Sequence, residues 1–379
     1  KHRAPDENGF FKGKNISLGM GRLKIIDLKS KNLVPFYDDD FVLLFNGEIY
    51  NYIELRNELI KYGYKFRSKS DTEVLFNAWK KWGEKIFQKL NGMYAFCIFD
   101  RKKNNLFLAR DIAGEKPLYY INNKDGFFFS SEAKSLKAIH NPIIQNDKFY
   151  KSFQFCFENT LWKDVKQLKP AHYIKYNIKS RKLRSIEYWQ FKKRKIFIKE
   201  AHEELDFLLQ DSIKLRNRSD VNVGLYYSKG VDSTLLRIYN DYKKLIYFDD
   251  SKNYINDFNK NINKIAYHLD FPVGSLSSYP LLRLAKEAKK NKIKVVISGE
   301  GADEIFGGYV RYIPIAYQFY INKKFPSYKP LFNKISETYV ENYSKLISKD
   351  KNYDYVKKIF SKYFDLFDDP INAMGFIDF

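Results

Sequence analysis

Val221-Asn-Val-Gly-Leu-Tyr-Tyr-Ser-Lys-Gly-Val-Asp-Ser-Thr234 decides the class of the second half of the chain. Val221 to Tyr227 is a short β run, Ser228-Lys-Gly230 supplies a turn, and Val231 opens a helical pattern. A strand that passes through a glycine turn into a helix is the unit of a parallel sheet with crossover helices. The flanking sequence keeps the same rhythm. Glu203 to Leu215 carries Leu205, Leu208, Leu209 and Ile213 at helical spacing, and further β runs fall at Leu245 to Phe248 and Val295 to Ser298. In such sheets ligands lie outside the carboxyl ends of the strands, so the loops after Tyr227 and Ile297 are where binding chemistry is expected. From Asn322 to Phe379 the sequence is rich in Lys, Tyr and Phe and is expected to be helical.

The first half has a different rhythm. Phe41 to Phe45, Tyr94 to Phe99, Leu106 to Leu108, Leu118 to Ile121 and Phe127 to Phe129 are short apolar or aromatic runs bounded by turn residues, which predicts strands. Two helices are expected among them, over Tyr52 to Tyr62 and Glu73 to Leu90, each with an apolar stripe. This is an α+β half. The Lys- and Arg-dense stretch from Lys179 to Lys199 has little apolar periodicity and reads as a linker with solvated charges, which places domains at 1–190 and 200–379.

A chain of 379 residues is too long for one ordinary domain, and 44% apolar residues are enough for sizeable cores, so wholesale disorder is excluded. No stretch approaches the roughly 18 consecutive apolar residues of a membrane helix, so no membrane partner is expected. The 67 Lys and Arg against 45 Asp and Glu give a charge of +22. The lysines are scattered along the whole chain instead of gathered in one stripe, so no nucleic-acid partner is expected. The two cysteines, Cys97 and Cys156, cannot build a disulfide framework, and five dispersed histidines offer no metal-ligand spacing. A reducing, cytoplasmic compartment fits this usage.

Two loops carry the chemistry. Ser228-Lys-Gly-Val-Asp-Ser-Thr234 exposes backbone N–H groups and hydroxyls at a helix N-terminus, where an anion is favoured. Asp232 in such a loop suits phosphate only if a cation neutralises it, as Mg²⁺ does. No Walker loop occurs, and the stretch alone reads equally as an ordinary capped helix start. Ser298-Gly-Glu-Gly-Ala-Asp-Glu-Ile-Phe-Gly-Gly-Tyr309 packs three acidic residues and four glycines into twelve positions. The glycines let backbone approach a ligand while Glu300 and Asp303 present carboxylates; the plain alternative is a solvated surface turn.

Together these strings resemble the glutamine-hydrolysing asparagine synthetase family. Ser228 to Thr234 is similar to its pyrophosphate loop S-G-G-x-D-S, and Ser298 to Tyr309 is close to its consensus. In the first half the resemblance rests on His2-Arg-Ala-Pro-Asp6, Arg22-Leu-Lys-Ile-Ile-Asp27, Phe45-Asn-Gly-Glu-Ile-Tyr-Asn51, Ser70-Asp-Thr-Glu-Val74, and Arg110-Asp111 with Gly114-Glu-Lys-Pro-Leu-Tyr-Tyr120. It implies an α+β glutaminase-like sandwich domain followed by an α/β parallel-sheet ATP-pyrophosphatase domain.

The resemblance also implies roles. Arg22, Asn46, Gly47, Glu48 and Asp71 match the glutamine pocket, with Arg22 and Asp71 gripping the α-carboxylate and α-amine. The Asn46 side chain and Gly47 N–H match an oxyanion hole, although Asn-Gly taken alone favours a hairpin turn. Ser228, Gly230, Asp232, Ser233, Ser298 and Gly299 match the ATP site, Asp232 and Asp303 the Mg²⁺ ligands, and Glu300 a base for incoming ammonia. The expected reaction adenylates a carboxylate, by default that of aspartate, and converts it to an amide with glutamine-derived ammonia. Relatives that amidate uronic-acid sugars or close lactam and lasso-peptide rings, and a catalytically silent binding or regulatory subunit, stand as alternatives. The implied partners are glutamine, ATP and the carboxylate acceptor, with a homodimer admitted.

Four departures from the family pattern stand beside this. The family's nucleophile is an N-terminal cysteine that would precede Lys1, and neither Cys97 nor Cys156 matches it; Cys97 alternates inside a strand and is expected to be a core thiol. Lys229 and Ala4 stand where the family has glycine. If position 229 needs a positive φ, the lysine costs about 1 kcal/mol. The stretch between Tyr247-Phe-Asp-Asp250 and His268-Leu-Asp270 is short, and the family's C-terminal lysine and E-x-R-x-P string find no match up to Phe379.

Overall fold

The structure, a computed structural model, describes residues 2–31, 33–139, 143–144, 158–192, 197–242, 244–247, 254–270 and 278–307. Cys156, the end of the Tyr247–Asp250 string, Gly308-Tyr309 and the helical expectation from Asn322 onward lie outside the described residues. The chain divides after Ser298 into two compact units, Lys1–Ser298 and Gly299–Phe379.

The first unit opens with a hairpin of β1 (Glu7–Gly13) and β2 (Ile16–Arg22), followed by β3 (Phe36–Tyr37) and β4 (Phe41–Ile49). Helices α1 (Tyr52–Lys61) and α2 (Asp71–Trp82) come next, then a 3₁₀ turn over Gly83–Gln88. β5 (Gly92–Asp100), β6 (Asn105–Arg110), β7 (Tyr119–Asn123), β8 (Gly126–Ser130) and a short α3 (Ala133–Leu136) lead to β9 (Lys166–Gln167), β10 (His172–Asn177) and β11 (Leu183–Glu187). Six strands form one antiparallel sheet in the order β11-β10-β6-β5-β4-β3, and β8-β7-β9 form a smaller one.

Strand alternation sorts the large sheet's side chains into two cores. Leu43, Phe45, Tyr94, Phe96, Ile98, Phe107 and Ala109 point to the side covered by Leu55, Leu59, Val74, Leu75 and Trp79 of α1 and α2. Val42, Leu44, Ala95, Cys97, Leu106 and Leu108 point to the other side, against Leu18 of β2, Tyr120 of β7 and Leu118 just before β7. Both faces of β4, β5 and β6 are therefore dry, which is why their sequence reads as unbroken apolar runs. Each fully buried Leu, Ile or Phe contributes about 2–3 kcal/mol.

Two expectations need correction here, and one alternative reading falls. The helix read from Glu73 to Leu90 begins at Asp71 and ends at Trp82, because Gly83 turns to φ 54° and the chain tightens into a 3₁₀ turn. Asn46-Gly47 is no hairpin: both residues lie inside β4, paired with Ala95 and Tyr94 of β5. The stretch read as a linker from Lys179 contains β11, an edge strand paired with β10. Just beyond it Tyr188 stacks on Phe87 at 4.5 Å and donates a hydrogen bond to the Arg110 carbonyl at 2.6 Å.

The later part of this unit is built of α4 (Ile198–Arg216), β12 (Val223–Tyr226), α5 (Val231–Tyr239), β13 (Lys244–Ile246), α6 (Tyr254–Leu269), α7 (Ser278–Lys290) and β14 (Val295–Ile297). The strands are parallel in the order β13-β12-β14, so the chain leaves β12 to one side and returns to the other. Such a reversal opens a crevice at the carboxyl ends of the strands. Tyr227 and Ser228 follow β12 there, and Ser298 follows β14. In the second unit the described residues are 299–307, where Gly301 at φ 94° starts α8 (Ala302–Phe306).

Candidate functional site

A cavity of about 390 Å³ lies on the inter-sheet side of β4 and β5, and Arg22, Asn46, Gly47, Glu48 and Asp71 all line it, beside Lys116. These five residues come from three separate strings of sequence: the end of β2, the outer half of β4 and the first turn of α2. Local chemistry fixes each one.

Asp71 is placed by its helix start. The Ser70 hydroxyl accepts the Thr72 N–H at 3.0 Å, a cap that sets the first turn. Glu73 accepts the Ser68 N–H at 2.7 Å, which anchors the approach to the helix. The buried Asp71 carboxylate then accepts the Ile49 N–H at 3.1 Å, which ties α2 to β4. Arg22 is buried at the end of β2, and its Nη2 donates to the carbonyls of Ile26 at 2.7 Å and Asp27 at 3.2 Å.

Gly47 fits only as glycine. A Cβ at that position would lie 2.1 Å from the Met93 carbonyl oxygen and 2.7 Å from the Tyr94 Cα. The close approach of β5 leaves the Asn46 amide turned to the cavity, where its buried Nδ2 has no hydrogen-bond partner, and the same holds for Oε1 of Glu48. A buried polar atom without a partner costs about 1–3 kcal/mol, so both atoms mark places where a polar ligand would be accepted.

The electrostatics point the same way. Burial pushes the Glu48 carboxyl up to about 8, with the nearby Asp71 charge adding to the rise and Lys116 opposing it. Burial also lifts Asp71 to about 6, against the Ile49 hydrogen bond and the Arg22 charge, which pull it down. Two carboxyls held up in this way favour a bound cation that would let them ionise. The cavity thus has a guanidinium, an acidic pair and an unused amide donor, the complement of a small zwitterion with a carbonyl in its side chain.

Lys116 belongs to this site although no role follows from its sequence string. Its N–H donates to Asp111 Oδ2 at 3.0 Å and its carbonyl accepts Arg110 Nε at 2.8 Å, so the two preceding motif residues clamp its main chain. Arg110 also donates to the carbonyls of Leu168 and Gly114, and Gly114 takes φ 70°. Arg110, Asp111 and Gly114 shape the loop, and Lys116 is what the loop presents. Cys97 is 1% exposed and its thiol is pushed up by burial alone, which fits a core thiol that also borders the cavity.

The residues after β12 make a compact turn. Ser228 Oγ accepts the Gly230 N–H at 3.2 Å and shares a hydrogen bond with Ser233 Oγ at 3.1 Å. Ser233 is buried, Asp232 half-buried, and Ser228 and Gly230 are exposed. Lys229 stands at φ 64°, in the left-handed region that favours glycine. In the second unit Glu300 is exposed and Asp303 half-buried, with the Ala302 N–H on the Gly299 carbonyl at 3.2 Å. Among the described residues no three His, Cys, Asp or Glu side chains gather into a metal cage, and no helix is long and apolar enough to cross a membrane.

Residues 1–189 match the family model described as a glutamine amidotransferase domain, and residues 254–366 match the one described as asparagine synthase. A putative glutamine-hydrolysing asparagine synthetase 2 of Methanocaldococcus jannaschii is 33% identical, over 83% of this chain and 71% of its own length. Asparagine synthetase 1 of Bacillus subtilis is 34% identical, over 81% of this chain and 54% of its own. A putative asparagine synthetase of Mycobacterium bovis is 31% identical over 82% of this chain and 56% of its own, so the chain spans little more than half the length of the latter two relatives.

Proposed function

This chain belongs to the glutamine-hydrolysing asparagine synthetase family, and from that premise we propose that it works as an ATP-dependent amidotransferase that binds glutamine in the Arg22–Asp71 cavity and amidates a carboxylate, by default that of aspartate. The observation that carries the reading is the cavity itself, which gathers Arg22, Asn46, Gly47, Glu48 and Asp71 and leaves Asn46 Nδ2 and Glu48 Oε1 without partners.

In this reading Arg22 holds the α-carboxylate, and Glu48 and Asp71 ionise around the α-ammonium. That ammonium would add to the positive charge that Lys116 and Arg22 already bring to the buried acidic pair. Asn46 Nδ2 and the Gly47 N–H then face the amide carbonyl, where they would stabilise the oxyanion formed as the amide is attacked.

Relatives in this family use ATP. Ser228, Gly230, Asp232 and Ser233 would offer hydroxyls and backbone N–H groups to its phosphates at the start of α5, and by the family resemblance Ser298 and Gly299 also match ATP-site residues. By the family resemblance Asp232 and Asp303 are each candidate Mg²⁺ ligands, and a carboxylate oxygen is the donor type that Mg²⁺ takes beside phosphate. The ion would neutralise charge on the phosphates. Glu300 would take a proton from ammonia as it attacks the adenylate, releasing AMP after pyrophosphate has left.

The test is pyrophosphate release with ATP, Mg²⁺ and ammonia, comparing aspartate, a uronic-acid sugar and no acceptor. Release that requires aspartate supports the reading, and release only with the sugar reassigns the acceptor. Asp232→Ala and Asp303→Ala should each abolish release; full activity in either would remove that residue from the phosphate site. Silence with every acceptor, with ATP still bound, would favour the silent-subunit reading.

A further inference from the structure

The segment Arg218-Ser-Asp220, which leads from α4 into β12, bonds to two stretches of chain that adjoin the cavity lining, one after β2 and one after β4. Asp220 Oδ2 accepts the Asp27 N–H at 2.7 Å, and the Asp220 N–H donates to the Ile25 carbonyl at 3.0 Å. After β4, Arg218 Nη1 donates to the Tyr50 carbonyl at 2.7 Å, two residues beyond Glu48, while both its Nη atoms bind Glu54 at 2.6 Å.

The turn that Asp220 grips carries the acceptors of Arg22. Asp27 sits at φ 58°, in the left-handed region that is uncommon outside glycine, Asn and Asp. Its carbonyl accepts Arg22 Nη2, and its carboxylate accepts the N–H groups of Ser30 at 3.0 Å and Lys69 at 2.7 Å. Lys69 lies two residues before Asp71. The Asp27 main-chain N–H is the group of this turn that Asp220 satisfies.

We propose that Asp220 is a positioning residue for the glutamine site: its reciprocal hydrogen bonds with Ile25 and Asp27 fix the carbonyls that aim the Arg22 guanidinium at the ligand's carboxylate. The inference rests on the glutamine reading of the cavity. It predicts a loss larger for ligands that carry the carboxylate charge, because the turn that Asp220 holds contacts Arg22 directly and reaches Asp71 only through the Lys69 N–H, two residues before it.

The experiment titrates the whole chain calorimetrically with L-glutamine and with its α-amide, which keeps the ammonium and the side chain but lacks the carboxylate. Wild type should prefer L-glutamine. Asp220→Ala should weaken L-glutamine about tenfold, as expected for a hydrogen bond serving a charged group, and leave the α-amide within about twofold. Asp220→Asn keeps an acceptor for the Asp27 N–H and should stay within about threefold of wild type. Where the alanine variant does not fold, Asp220→Ser, too short to reach Asp27, carries the same expectation. Unchanged L-glutamine binding in the folded variant, or an equal loss of both ligands, overturns the proposal while leaving the pocket assignment standing. A wild-type chain that binds neither ligand contradicts the pocket assignment itself.

Discussion

Asp71 accepts the main-chain N–H of Ile49 and so brings its carboxylate beside that of Glu48, one residue earlier on β4. Two acids that share a buried cavity cannot both ionise cheaply without a cation. The sign of the pH dependence follows. Carboxyls held above their ordinary 4.5 and 3.8, at about 8 for Glu48 and about 6 for Asp71, bind protons more tightly folded than unfolded. Their contribution to stability is present in acid and is lost as pH rises from about 4 to about 8. A ligand ammonium reverses this by favouring the ionised pair. Glutamine binding at pH 7 should therefore release up to about one proton, and affinity should rise with pH until about 8. Calorimetry in two buffers of different ionisation enthalpy measures the release, which Glu48→Gln should diminish. Proton uptake on binding would be incompatible with a cation at this pair.

Gly47→Ala should be costly. The added Cβ would meet backbone atoms of Met93 and Tyr94, not the tip of a flexible side chain, so β4 and β5 must separate where their pairing is tightest. A loss of about 2–3 kcal/mol is expected. Urea unfolding measures it, and a variant as stable as wild type would show that β5 lies farther away than described.

Lys229→Gly should be neutral or mildly stabilising. A residue with a Cβ in the left-handed region costs about 1–2 kcal/mol, and the extra freedom of glycine in the unfolded chain takes back about 0.4–1 kcal/mol. A net gain of roughly 0.5 kcal/mol follows from those two terms, visible as a small rise in thermal midpoint. A clear fall would mean that the Lys229 side chain makes an interaction that outweighs its backbone strain at φ 64°.

Cys97 should resist alkylation in the native chain. It is 1% exposed, and burial raises its thiol well above the ordinary value, so both access and thiolate are lacking. Peptide mapping after brief iodoacetamide treatment should find Cys97 modified only when the chain is first unfolded. Rapid native labelling at Cys97 would reopen it as a reactive group.

Arg22, Glu48 and Asp71 were legible as candidate site residues only through the family resemblance of the strings that carry them, and the fold gathers all three around one cavity. Asn46-Gly47 was misleading when taken alone: a local turn preference loses to nine consecutive cross-strand pairs between β4 and β5. β1 and β2 were hidden by glycines that resemble loop residues. Gly9 is there because a Cβ would lie 1.9 Å from the Val34 carbonyl oxygen, a constraint from a neighbour far along the chain. β11 was hidden by its charges, which an exposed edge strand tolerates. Lys116 and Asp220 act through partners 5 and 193 residues away, Asp111 and Asp27, and only the folded chain brings the second pair together. The Lys229 backbone, by contrast, was legible as a question, and φ 64° answers it.

The central claim is that the cavity between β2, β4 and α2 is a glutamine site, and a calorimetric titration of the chain with L-glutamine and D-glutamine tests it most directly. The account predicts saturable one-to-one binding of the L isomer, loss of binding in Asp71→Asn, and no measurable binding of the D isomer, whose ammonium and carboxylate would exchange places before Arg22 and the acidic pair. A folded chain that binds neither isomer, or binds both alike, would contradict it.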